Sequence, residues 1–174
     1  MSYLNIEIKA RCASPDAIRT ILRSLNADFR GIDHQVDTYF NVQWGRLKLR
    51  EGNIENALVY YEREDLAEPK QSIVTLYPTP QSSALKAILT QILGILTIVD
   101  KQREIYFIEN VKFHLDTVMQ LGTFVEIEAI DRDGILGKEK LRAQCQRFLA
   151  LFRIVPADLI AVSYSDLLFQ QPTR

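Results

Sequence analysis

Charges in this chain alternate with apolar side chains at a period of two, in one segment after another. "NIEIKAR" puts Ile6, Ile8 and Ala10 on one side and Asn5, Glu7, Lys9 and Arg11 on the other. That is the period of a β-strand with two unlike faces. "RLKLRE" repeats it, with Arg46, Lys48 and Arg50 against Leu47 and Leu49. Further along, Val59, Tyr61 and Arg63 share a face. So do Lys101 and Arg103, then Lys112, His114 and Asp116, and then Glu126 and Glu128. A sheet with one wet side accounts for any single strand of this kind. Two features of the set speak against it. Like charges recur at i, i+2 within one strand, which on an open surface gives repulsion without pairing. The apolar faces also need cover.

Helices can supply that cover. Ser14, Pro15 and Asp16 punctuate a helix start, and Ile18, Ile21, Leu22 and Leu25 follow as one buried face. A second helix is predicted over "SSALKAILTQILGIL", after a break at Pro78 and Pro80, with Leu85, Ile88, Leu89 and Ile92 on one side. A third, "GKEKLRAQCQRFLALF", turns Leu141, Cys145, Phe148, Leu149 and Phe152 inward. A short helical tail, "SYSDLL", precedes a frayed Gln170 to Arg174. The remaining strands are "HQVDTYFNV", "ALVYYERED", "SIVTLYP", "TIVDKQREIYFIEN", "VKFHLDTV" and "FVEIEAI", with a polar loop from Asp65 to Lys70. The expectation is an α+β fold in one domain over residues 1–174, with about eight strands, a predominantly antiparallel sheet, and a tendency to close into a barrel. With helices outside a closed sheet, the charged faces point inward. Such an interior must hold water, counter-charges or a ligand.

The bulk numbers leave the function to charge arrangement. The net charge is −1 over 174 residues, so no basic excess points to nucleic acid. The most apolar stretch is broken by Lys86, Gln91 and Gly94 and is too short to span a bilayer, so no membrane partner is expected. Met1 opens directly into a strand with no targeting segment ahead of it, and a cytoplasmic protein, monomer or homodimer, is the expectation. Cys12 and Cys145 lack metal-ligand spacing and adjoin apolar runs, so they read as reduced thiols in or near the core.

Lys48, Arg50, Arg63, Lys101 and Arg103 form a cationic lining suited to several phosphates in a row. Glu7, Glu126 and Glu128, with Asp116, are hard oxygen ligands for Mg²⁺ or Mn²⁺. Carboxylates at i, i+2 on one strand point the same way about 7 Å apart, a spacing one hydrated cation can bridge. Cations for a polyphosphate and carboxylates for its metals are the parts phosphoryl chemistry needs. No Walker loop, GxGxxG or HExxH motif is present.

These residues resemble the CYTH superfamily, the triphosphate tunnel metalloenzymes, which include class IV adenylyl cyclases, thiamine triphosphatases and inorganic triphosphatases. The resemblance covers nearly the whole chain. It rests on the order and spacing of "NIEIKAR", "QVDTYF", "GRLKLRE", "YYERED", "VDKQREIYF", "HLDTVMQLGTFVEIE" and "SYSDLL". It implies an eight-stranded antiparallel barrel, open as a tunnel, that binds a small-molecule triphosphate with divalent metal. Glu7 and Lys9 fall on the family's N-terminal ExExK signature, Lys48 and Arg50 on its basic strand, and Arg63 on the next tunnel cation. Lys101 and Arg103 fall on the later K-x-R pair, Asp116 on the LD position, and Glu126 and Glu128 on the paired metal glutamates. Lys70 is a further loop contact. Lys112 stands where relatives often have Arg, which keeps the charge and not the bidentate geometry. His114 matches the "HLD" pattern; taken alone it reads as a hydrogen-bonded structural histidine. The departure is Asn5, a neutral amide in place of the signature's first Glu. The implied activity is a metal-dependent triphosphatase or a class IV adenylyl cyclase. The alternative that Asn5 opens is a non-catalytic module that binds triphosphate or polyphosphate.

Overall fold

The computed structural model describes residues 2–63, 70–80 and 83–169, without the side chains of Ser2, Arg63, Lys70 and Ser83. The predicted polar loop from Asp65 and the tail from Gln170 therefore lie outside the described residues. The strands are β1 (Ser2–Arg11), β2 (Asp28–Phe40), β3 (Arg46–Gly52), β4 (Ala57–Arg63), β5 (Lys70–Pro78), β6 (Ile95–Ile108), β7 (Val111–Val118) and β8 (Gly122–Asp131). The helices are α1 (Pro15–Ser24), α2 (Ser83–Leu93), α3 (Lys138–Leu151) and α4 (Tyr164–Phe169), with a short 3₁₀ turn at Pro156–Asp158.

Every strand pairing is antiparallel. The order around the sheet is β1-β5-β4-β3-β2-β6-β7-β8, closed because β1 bonds to both β5 and β8. Closure removes the exposed edges that so many strands would otherwise present, and a barrel of this size is just wide enough to hold side chains or one small ligand. The α+β barrel expected from the alternating charges is the fold observed.

The outward faces form the core. Ile6, Ile8 and Ala10 of β1, Phe113 and Leu115 of β7, and Val125 and Ile127 of β8 are buried beneath α1 and α3. From α1 come Ile18 and Leu22; from α3 come Leu141, Cys145 and Phe148. Phe113 and Phe148 meet edge to face at 4.6 Å between ring centres, a favoured aromatic geometry. Both cysteines are free and buried, as expected. Burial pushes the Cys145 thiol up to about 12, which leaves it unreactive.

Helix α2 departs from expectation. It forms, but half of its expected apolar side stays outside: Ile88 and Ile92 are 53% and 73% exposed, while Leu85 and Leu89 are half-buried. Helical periodicity predicts a helix but not what covers it, and here the core clusters close without α2. Among the described residues, no helix is long and apolar enough to cross a membrane.

At the other end of the chain, α4 is fixed by a reciprocal cap. Ser163 Oγ and its backbone N–H both donate to Asp166 Oδ2, at 2.6 and 2.9 Å, and Asp166 N–H donates back to Ser163 Oγ at 3.2 Å. Arg46 of β3 adds a 2.8 Å ion pair to the same carboxylate. This short helix thereby sets Tyr164 against the barrel.

Candidate functional site

The inward faces enclose a cavity of about 330 Å³, within the size range of small-molecule sites. Into it project Glu7 and Lys9 from β1, Lys48 and Arg50 from β3, Lys101 and Arg103 from β6, Lys112 and His114 from β7, and Glu126 and Glu128 from β8. Ten of the residues singled out from sequence thus share one site. Arg63 ends β4 and Lys70 begins β5, with Lys70 opposite Glu7 in the register; their side chains lie outside the described residues.

One wall is rich in carboxylate. Glu126 accepts from Lys9 at 2.7 Å, from Arg103 at 2.8 Å and from His114 Nδ1 at 3.1 Å. Glu128 lies two residues on, 3.6 Å from the same His114 nitrogen, and is paired in register with Glu7 across β1–β8. The two glutamates titrate apart. Burial raises the Glu126 carboxyl, but Lys9 and Arg103 outweigh it and hold the group well below its ordinary value. Burial pushes Glu128 up to about 7, against the pull of Lys112 and with the help of Glu126 and Glu7. Burial, with Arg103 and Lys112 nearby, takes His114 down to about 3, so its imidazole is neutral at ordinary pH. With Nδ1–H given to Glu126, the lone pair falls on Nε2.

Among the described residues, His114, Glu126 and Glu128 can bring one ligand atom each within 4.8 Å of one another. Two nearly inaccessible polar atoms in the same cavity, Asn5 Oδ1 and His114 Nε2, have no hydrogen-bond partner among those residues. Buried polar atoms are rarely left so. Carboxylate and carbonyl oxygens with a neutral imidazole suit a hard divalent cation, so the residues present fit a metal.

Asp116 was expected among the metal ligands, and its geometry is different. Both oxygens are taken: Arg103 Nε and Nη2 donate at 2.7 and 2.5 Å, and the Tyr164 hydroxyl donates at 2.7 Å. It sits behind the cavity wall and holds Arg103, which passes on to Glu126. The position beside the two glutamates goes to His114 instead, because β7 alternates and Asp116 lies one inward step further along.

The opposite wall is rich in cations around one carboxylate that sequence reasoning did not select. Asp37, almost wholly inaccessible, accepts from Lys48 at 2.9 Å, from Lys101 at 2.7 Å, and from Arg50 through Nε at 2.9 Å and Nη2 at 3.2 Å. Burial raises its carboxyl, and these three cations more than reverse that, holding it well below the usual range. The crowding also acts on Lys101. Burial and the nearby Arg50, Arg103 and Lys48 take it down to about 7 despite Asp37. Two other residues escaped notice. Glu55, in the β3–β4 turn, pairs with Lys112 and with Arg50 Nη1 at 3.0 Å. Tyr164 takes Lys9 Nζ over its ring at 3.8 Å. Among the described residues, the third wall, on β4 and β5, is mostly apolar, formed by Ala57, Val59, Tyr61 and Val74 with Ser72 beside them.

A family model described as the CYTH domain matches residues 4–162. A search of curated proteins gives no match. Among solved structures, the chain is similar to the PH1012 protein of Pyrococcus horikoshii OT3, with 24% identity, 94% of this chain and 98% of that one covered, and a TM-score of 0.76. It is similar to a candidate adenylate cyclase from Vibrio parahaemolyticus, with 20% identity, 95% and 98% covered, and a TM-score of 0.72. It is also similar to a candidate adenylyl cyclase from Hippeastrum described with a dominant triphosphatase activity, with 15% identity, 97% and 95% covered, and a TM-score of 0.61. At these identities the likeness carries the fold. With the family model spanning nearly all of the described barrel, the chain belongs to the CYTH domain family.

Proposed function

We propose that this barrel is a metal-dependent enzyme that binds a triphosphate in its charged cavity and cleaves a phosphoanhydride bond in it. The observation that carries the reading is the meeting, in one cavity, of a cation-rich wall around Asp37 with a carboxylate cluster around Glu126 and Glu128. Lys48, Arg50, Lys101, Arg103 and Lys9, with Arg63 and Lys70, neutralise phosphate oxygens and hold the chain in line. Lys112 extends that row. Glu126, Glu128 and Glu7 hold Mg²⁺ or Mn²⁺, with His114 and the Asn5 carbonyl oxygen as neighbouring donors. A bound divalent ion supplies charge neutralisation on the phosphates and a lowered pKa for water. Asp116 and Tyr164 act through Arg103, keeping its guanidinium fixed.

Hydrolysis and cyclisation use the same residues and differ in which phosphorus lies in line with the nucleophile. Water attacks the terminal phosphorus and expels the diphosphate part of the substrate in the first; a ribose hydroxyl attacks the α-phosphorus and expels pyrophosphate in the second. A panel of ATP, thiamine triphosphate and inorganic triphosphate with Mg²⁺ or Mn²⁺, scored for phosphate, pyrophosphate and cyclic AMP, tests the proposal and separates these outcomes. A second reading, a binder without turnover, is favoured by the neutral Asn5. Tight binding with no product from any substrate would establish it and end the enzyme reading.

A further inference from the structure

The β3–β4 turn is built to deliver one carboxylate. Asp33, with no exposed surface, accepts the backbone N–H groups of Ile54 and Glu55, each at 2.9 Å, and the Gln35 side-chain amide at 2.7 Å. Asn56 closes the turn on Gly52 in both directions, at 3.0 and 2.9 Å. The approach is so close that a Cβ on Gly52 would meet Asp33 Oδ1 and the Glu55 carbonyl oxygen at 2.7 Å. The turn therefore requires Gly52, and Glu55 leaves it in a fixed direction.

That direction is across the barrel. Glu55 Oε2 accepts from Arg50 on β3 at 3.0 Å and from Gln35 on β2 at 3.2 Å, while Oε1 accepts from Lys112 on β7. Strands β3 and β7 are not neighbours; β2 and β6 lie between them. One carboxylate thus spans the charged wall at the turn end. It occupies two cations of the row assigned above to phosphate, with the oxygen pair and charge-assisted geometry that a phosphate would offer.

We propose that Glu55 is an internal stand-in for a phosphate, one that closes the turn end of the cation row and limits the stretch of ligand held there to a short oligophosphate, whether a free one or the end of a longer chain. This rests on the triphosphate reading and narrows it. A barrel lined by cations from end to end could thread a long polyphosphate. Here the chain would have to displace Glu55 from Lys112 and Arg50 and then pass its negative charge.

Binding of inorganic tripolyphosphate and of a long-chain polyphosphate, at one fixed free Mg²⁺ concentration and with chain lengths checked on a gel before and after, tests this. Wild type should bind both with similar affinity per chain. Glu55→Gln should tighten the long chain by about tenfold, leave tripolyphosphate within about threefold, and steepen the salt dependence of long-chain binding by about one to two counterions. Glu55→Asp, which keeps the charge but draws it back from Lys112, should give an intermediate shift. It serves if Glu55→Gln does not fold. Glu51→Gln, which breaks an outward pair with Lys86, should change neither affinity. A long-to-short ratio unaltered by both Glu55 variants, or a wild type that already prefers the long chain more than about tenfold, would overturn the proposal. Tripolyphosphate failing to bind wild type is a separate result, one that removes the triphosphate reading and this inference with it.

Discussion

Asp37 and Glu126 are carboxylates inside the same barrel, each gripped by more than one cation, yet among the described residues the first is ringed by cations and the second stands beside further carboxylates. Around Asp37, one carboxylate accepts from Lys48, Arg50 and Lys101, and Glu55 meets only Arg50 of the three. Around Glu126, a second glutamate stands two residues away and a third pairs with it across the strands. Of the two cations that Glu126 accepts from, Arg103 is shared with Asp116. Unequal pairing of buried charge is expensive unless something else completes it. An anion would complete the first centre and a cation the second, and the metal-bound triphosphate proposed above would supply both.

The comparison breaks most sharply at Asp37. Asp37→Asn leaves three buried cations without their shared counter-charge and should cost about 3–5 kcal/mol of stability. Urea denaturation would read this, and tripolyphosphate should restore much of the loss by supplying the missing anion. A loss that the anion does not reverse would mean that the cations serve the fold alone, and unchanged stability would mean that they do not depend on Asp37. Glu126→Gln should act on the other centre. It keeps the shape, removes a charge, and should weaken Mg²⁺ or Mn²⁺ binding by about 10–100-fold, with turnover falling alongside. Tripolyphosphate should not rescue it. A variant with full metal affinity by titration calorimetry would move the metal site elsewhere.

The difference between the centres also marks what the sequence discloses. The strands and their inward faces are legible because period-two alternation is local, and the cations and glutamates stand out as like charges at i, i+2. Asp37 is not legible in that way. It is one acid in "QVDTYF", and its meaning comes from Lys101, brought beside it by the β2–β6 register from 64 residues away. Asp116 shows the converse: a residue type suited to a metal, whose oxygens are taken by Arg103, its cross-strand partner in the β6–β7 hairpin, and by the distant Tyr164. Arg46 shares the inward alternation of Lys48 and Arg50 but lies at the α4 end, where it pairs with Asp166. Hydrophobic period likewise locates α2 without disclosing that Ile88 and Ile92 face outward. Patterns within a segment carry the fold; contacts between segments decide the site.

Asn5 tests how far the negative excess can be increased. Its Oδ1 is buried and without a partner among the described residues, so the position already offers a metal an oxygen but no charge. Asn5→Glu should tighten Mn²⁺ binding by about tenfold, since site affinity follows ligand charge. Calorimetry would read the affinity, and the substrate panel would show whether turnover rises with it. Tighter metal without faster turnover would mean that the amide is not what limits the chemistry.

The smallest effect separates the centres by pH. The Asp37 carboxyl lies below its ordinary value in the fold, so its contribution to stability is present above about pH 4 and is lost as pH falls through the folded value. Glu128 has the opposite sign. Its carboxyl is raised from 4.5 to about 7, so its contribution is present below the unfolded value and is lost as pH rises through about 7. In metal-free buffer, Glu128→Gln should therefore gain on wild type between about pH 5 and about pH 8, by about 1–2 kcal/mol. The 18% exposure of the side chain trims the effect toward the lower figure. Adding Mg²⁺ at the higher pH should erase or reverse that gain, because the ion stabilises the ionised wild-type pair. A gain of equal size at both pH values would show that Glu128 titrates as an ordinary carboxylate and that the negative excess at this wall is already compensated within the protein.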